Sequence, residues 1–258
     1  MAGPRIDLPT VTLCAATSVN VEATIAALRA CLASVNFGDC VLLTDVVVEQ
    51  EHSGIRVVPI KRLGSSRDYS LFILHGLADH IRSPHCLIVQ WDGFVLDASK
   101  WNPAFLDYDY IGALWPQFDD AHAVGNGGFS LRSRKLLEAC RDPAFVVGHP
   151  EDLAICRVNR PMLESRFGIR FADRRTAGEF AYERTATDGR AFGFHGIFNM
   201  IPAIGPERFW TSYSSLDDPT TAFVDYRTLM RQLGSGRHAL WRRLRLTADW
   251  LRHSLTRP

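Results

Sequence analysis

A chain of 258 residues with 47% hydrophobic content is long and apolar enough to bury a full core, and it fits one large α/β domain. Its formal net charge of +1 gives no reason to expect a nucleic-acid partner, and no apolar run approaches the ~20 residues of a membrane span. Six scattered cysteines, in largely apolar surroundings, and an N-terminus (MAGPRIDLPT) without the apolar core of an export signal suit buried, reduced thiols in the cytoplasm.

In chain order, Val11 to Ala16 reads as a first strand ending in the polar turn Thr17-Ser18-Val19-Asn20. A helix follows from Glu22 to Ala33, with Ile25, Leu28 and Leu32 at helical spacing. Val41 to Leu43 forms a second strand closing on Thr44-Asp45, and Ile55 to Ile60 a third. Ser66 caps a helix whose apolar stripe is Tyr69, Phe72, Ile73, Leu77 and Ile81. His85 to Val89 is then a strand buried on both faces, bounded by Pro84 and Gly93. Alternating strands and helices with short connections predict a single domain with a mostly parallel, Rossmann-like sheet flanked by helices. Ligands bind such sheets outside the carboxyl ends of the strands. Gln90-Trp91-Asp92-Gly93, Thr17 and Asp45 all fall on that edge, although each also suits a plain polar turn.

Beyond Asp92, Asp109 to Ala113 reads as a strand, and Gly125-Asn126-Gly127-Gly128 feeds another at Phe129 to Leu131. The glycines permit close approach of a ligand to the main chain. No Lys-Ser or Lys-Thr follows, so this is not a Walker loop, and no GxGxxG follows the first strand. Ser133 caps a helix to Cys140, and Pro150 opens one running to about Phe167. The positive end of that second helix favours ionised Glu151 and Asp152, as a general base requires. Gly168 to Ala172 reads as a late strand, and His195 lies between glycines in AFGFHGIFN.

Taken together and in order, these segments resemble the signature elements of GT-A-fold glycosyltransferases. QWDGFV, DYIGALWP, VGNGGFSLRSRKLL, the Glu-Asp pair followed by ICR, and FGFHG are similar to an uncharacterised, largely bacterial glycosyltransferase-like family. The resemblance implies a sugar transfer, inverting in stereochemistry, from a nucleotide-sugar (a UDP-sugar by preference) to a glycan or lipid-linked hydroxyl acceptor. It implies that Asp92 and His195 hold Mn2+ or Mg2+, with Gln90 standing where the motif's first Asp is usual. A hard cation of this kind stabilises the departing diphosphate. Asp152 is implied as the base, with Glu151 as the alternative. Thr17, Asp45, Gln90, Trp91, Asp92 and Gly93 would line the donor, and Asn126, Gly127 and Gly128 would meet the donor or acceptor sugar. Trp91 and Trp115 offer flat faces for a sugar or base. A non-catalytic nucleotide-sugar binder is the alternative that Gln90 invites. A sugar-nucleotide pyrophosphorylase is disfavoured, because Ala15 to Asn20 lacks a glycine-rich basic loop.

The domain is expected to span residues 1–224, with 225–258 as a helical extension broken at Gly234-Ser235-Gly236. The extension carries Arg227, Arg231, Arg237, Arg242, Arg243, Arg245 and Arg252, with Leu240, Trp241, Leu244, Trp250 and Leu251 as apolar anchors. Two readings stay open: a basic amphipathic helix held peripherally on the inner face of a membrane, or a brace packed on the domain.

Overall fold

The computed structural model describes residues 5–49, 52–185, 190–234 and 238–256. The chain divides into two compact units after His195, earlier than the expected boundary at residue 224.

The first unit opens with β1 (Ile6–Ala16), α1 (Val21–Leu32), β2 (Val35–Thr44) and β3 (Arg56–Pro59). Both β1 and β2 start about a turn's length before their apolar runs. There Ile6 to Leu8 pairs with Val35 to Phe37, ahead of a register shift before Thr12. Those extra residues are largely exposed, so pairing and not burial makes them strand. Next comes α2 (Ser66–Leu71), whose cap is Ser65 and not Ser66: the Ser65 hydroxyl accepts from the Asp68 N–H at 3.1 Å. The helix widens into a π turn at Phe72–Gly76 and tightens at Leu77–His80. β4 (His85–Val89), β5 (Tyr110–Ile111), β6 (Phe129–Ser133) and α3 (Arg134–Ala139) follow. Ser133 caps α3 as expected, accepting from the Leu136 N–H.

These strands form one sheet in the order β3-β2-β1-β4-β6-β5. The first four are parallel, and β6 runs against β4. Ile73, Leu77 and Ile81 pack against Cys14, Val41, Leu43 and Ile88. A second core gathers Leu136, Ile155 and Leu163 around Tyr110, Trp115 and Phe171.

The remainder of the unit is α4 (Glu151–Leu153), a π turn at Ala154–Val158, α5 (Arg160–Phe167), α6 (Arg174–Phe180), β7 (Ala181–Tyr182) and β8 (Gly193–Phe194). The predicted strand at 168–172 does not form. Gly168 ends α5 with φ 59°, and only Phe171 makes a bridge, to Tyr110. β5 is two residues long and offers no ladder to extend; the predicted strand at 109–113 contracts to it. The Asp109 carboxylate instead accepts from the Arg170 N–H at 2.8 Å.

The second unit is helical: α7 (Ile197–Ser214), kinked at Gly205 with φ 80°, α8 (Tyr226–Gln232) and α9 (Ala239–Thr256). Of the expected break, Ser235 and Gly236, together with Arg237, lie outside the described residues. Among the described residues no helix is long and apolar enough to cross a membrane. All six cysteines are buried and free.

Candidate functional site

Because β6 runs antiparallel to β4, the chain enters β6 at the edge where β4 leaves. The register pairs Val89 with Phe129, which sets Gln90 beside Gly128. A second crossing closes the site from far along the sequence. Val95 bridges Gly193, and the Leu96 N–H donates to the Phe192 carbonyl at 2.8 Å. β8 in turn pairs with β7, Tyr182 against Phe194. The residues that follow on the two short strands, Glu183 and His195, are therefore neighbours.

These connections line a cleft of about 290 Å³ with Gln90, Trp115, Asn126, Gly127, Gly128, Glu151, Asp152, Glu183 and His195. Tyr69, Ser70 and His149 complete one wall.

His195 is the hub. Its Nε2 lies 3.5 Å from Asp92 Oδ1 and 3.2 Å from Gln90 Oε1, and its Nδ1 lies 3.2 Å from Glu183 Oε1. Burial by itself would favour the neutral ring. The charges and hydrogen bonds of Asp92 and Glu183 outweigh it and raise His195 to about 10. A protonated ring can donate from Nε2 toward Gln90 and Asp92 and from Nδ1 toward Glu183. Burial likewise opposes ionisation of Glu183, but the hydrogen bond and charge of His195, with Arg184 and Asn126, hold it below the usual carboxylate range.

The second cluster is acidic. Glu151 is 4% exposed and pairs at 3.1 Å with Arg132, which is 0% exposed. It also accepts from the Ser70 hydroxyl at 3.3 Å, and Ser70 lies 2.8 Å from His149 Nδ1. Arg132 faces the Tyr110 ring at 5.2 Å and donates to Ser130. Among the described residues Asp152 pairs with no cation. Its two oxygens accept from the backbone N–H groups of Gly127 (3.1 Å) and Leu153 (2.8 Å). Burial, and then the neighbouring Glu151, raise its carboxyl to about 6.

The glycines have a reason the sequence did not suggest. A Cβ on Gly127 would lie 2.0 Å from Glu151 Oε1, and one on Gly128 2.0 Å from His195 Nε2. The space that absent side chains leave is filled by the two clusters. Gly93 is likewise crossed by the His195 backbone and ring. Asn126, with φ 66°, is 3% exposed and accepts from the Gly128 N–H through its side chain, so it holds the loop. Trp91 and Trp115 are 9% and 6% exposed. Of the two only Trp115 reaches the cleft, and it also packs on Phe118 at 5.6 Å. Thr17 and Asp45 sit at the carboxyl ends of β1 and β2 but do not line the cleft. Glu183 and Ser70 carried no motif that singled them out, and Arg132 and His149 lay inside GNGGFSLRS and HPED without a role of their own; the strand pairing and the buried charge reveal them. Among the described residues no three His, Cys, Asp or Glu side chains form a set that could hold a metal ion.

Fold and cleft together define an α/β protein with a polar, histidine-centred site at the carboxyl edge of a mostly parallel sheet. The family described as "Protein of unknown function (DUF5672)" matches residues 52–195, ending where the first unit ends. The chain belongs to this family. No curated protein matches the sequence. Similar solved structures include a mannosyltransferase from Pyrobaculum calidifontis in complex with GDP-Man and Mn2+, at 11% identity and a TM-score of 0.44, covering 97% of this chain and 73% of that one. The apo glycosyltransferase GlyE of Streptococcus pneumoniae is 13% identical with a TM-score of 0.46, covering 80% of this chain and 60% of that one. TarS 1–349 of S. aureus, in complex with UDP-GlcNAc, is 13% identical with a TM-score of 0.41, covering 93% and 71%.

Proposed function

We propose that the cleft transfers a sugar from a nucleotide-sugar donor to a hydroxyl acceptor, with Asp152 as general base. The observation that carries this reading is the contrast between two adjacent carboxylates. Glu151 is committed to Arg132, whereas Asp152 lines the cleft, pairs with no cation among the described residues and is raised to about 6. A carboxylate so poised is largely ionised at neutral pH yet more basic than an ordinary one, which suits proton abstraction. Its oxygens are oriented by the Gly127 and Leu153 amides. As the acceptor oxygen attacks the anomeric carbon, its proton passes to Asp152 and the bond from that carbon to the diphosphate breaks, which inverts the centre.

Asp92 Oδ1 and Gln90 Oε1 each lie within ion-pair or hydrogen-bonding reach of His195 Nε2, at 3.5 and 3.2 Å. Asp92, Gln90 and His195 would hold Mn2+ or Mg2+ through a carboxylate, an amide oxygen and an imidazole, donor types that such cations accept. His195 would hold it through a neutral imidazole nitrogen. A cation bound there would supply Lewis-acid stabilisation of the departing diphosphate. Asp92 and Glu183 hold the His195 ring in place at 3.5 and 3.2 Å.

The test is a panel of nucleotide-sugars, with and without Mn2+, scored first by thermal stabilisation and then by release of nucleoside diphosphate with each acceptor class. Stabilisation by at least one donor and loss of turnover in Asp152→Asn support the reading. Absence of stabilisation by every donor refutes it.

A further inference from the structure

The second unit carries a surface that the cleft chemistry does not use. α9 is anchored by one side only. Leu246 is 0% exposed, Arg242 is 4% exposed and paired with Glu207, Asp249 accepts from Tyr213 at 3.1 Å, and Trp250 stacks on Tyr226 at 4.9 Å. On the other side Leu240, Leu244, Leu251 and Leu255 are 73%, 62%, 47% and 84% exposed. At 3.6 residues per turn these four leucines share an arc of roughly 60° on a helix about 27 Å long. A ridge of four exposed leucines on one arc is not the scatter of single apolar residues that ordinary surfaces show.

We infer that this leucine ridge of α9 seats on an anionic lipid surface. Charge selects that occupant. Arg243 flanks one side of the ridge, with Arg245 and Arg252 on the other, and Trp241, 54% exposed, lies beside it. The helix's single acid, Asp249, sits on the packed side, where Arg245 and Arg252 reach it at 3.3 and 3.6 Å. An apolar strip between cationic borders matches the acyl and headgroup layers of an anionic leaflet. Two copies of the same face would instead set arginine against arginine. Of the arginines the sequence offered for this purpose, Arg242 is excluded, because it is buried in the unit's own packing. The inference is independent of the reaction in the cleft.

The full chain is sedimented with vesicles of phosphatidylcholine alone and with phosphatidylglycerol added, at low and high salt. Binding is expected only to the anionic vesicles, and weaker at high salt. Each arginine near such a surface strengthens attachment about fivefold, so Arg243→Gln with Arg252→Gln should weaken it roughly thirtyfold at low salt. Leu244→Glu with Leu251→Glu should abolish it while lowering the melting temperature only slightly, since about half or more of each side chain is exposed. Failure of the intact chain to sediment with anionic vesicles at low salt overturns the inference. So does a dimer in solution that those leucine substitutions dissolve.

Discussion

Replacing Glu151 by Gln keeps the side chain's size and removes the charge that, among the described residues, pairs with Arg132. Both side chains are almost wholly enclosed, 0% and 6% exposed, at 3.1 Å. The guanidinium is already short of partners, since its Nη1 makes no hydrogen bond among the described residues. Removing one partner of a buried pair costs ~3–5 kcal/mol. Gln retains an acceptor oxygen for Arg132, which places the loss near the lower end, about 3 kcal/mol. For a chain of this size that lowers the melting temperature by roughly 6–12 °C, read by circular dichroism. The same change acts on Asp152, which loses a like charge while Arg132 remains nearby. Its carboxyl should fall below about 6, and the acid limb of the pH–rate profile should move to lower pH. A Glu151→Gln protein that melts with the wild type yet transfers no sugar would refute the reasoning and exchange the roles of Glu151 and Asp152.

Asp152→Asn should cut turnover by ~10²–10⁴-fold with little change in donor affinity measured by calorimetry; equal turnover would remove Asp152 from the mechanism. Because the folded carboxyl of Asp152 is raised to about 6, above its ordinary ~4, its contribution to stability is fully present below about pH 4 and is lost as pH rises through about 6. Subtracting the Asp152→Asn stability curve from that of the wild type should show this fall, and wild-type turnover should rise over the same interval. Mn2+ should raise the melting temperature of the wild type but not of Asp92→Asn; a shift that survives the substitution would place the ion elsewhere. Gly128→Ala forces a Cβ to within 2.0 Å of His195 Nε2, so it should cost ~1–3 kcal/mol of stability and weaken the Mn2+ response. A variant that melts normally with an intact response would contradict the packing.

Local pattern alone specified the strand ending at Val89, the Ser133 cap of α3, and the acidic helix start at Glu151-Asp152. Each depends on residues within a few positions of one another: an apolar β-branched run, a hydroxyl three residues before an amide, a proline at a first turn. The parallel order of β1, β2 and β4 followed from alternating elements, which placed Gln90 to Asp92 on the carboxyl edge. Only the tertiary structure decided the rest. The antiparallel insertion of β6, the crossing of Val95 by Gly193 and the two-residue pairing of β7 with β8 are contacts between segments up to about a hundred residues apart, and a short strand leaves almost no periodicity to read. Those contacts bring Glu183 to His195, and the charges and hydrogen bonds they bring together, with Asp92, outweigh the burial that opposes ionisation of both. The same holds for the carboxylate pair: sequence could not separate Glu151 from Asp152, because what separates them is Arg132 on a neighbouring strand, fully enclosed and opposite only one of the two.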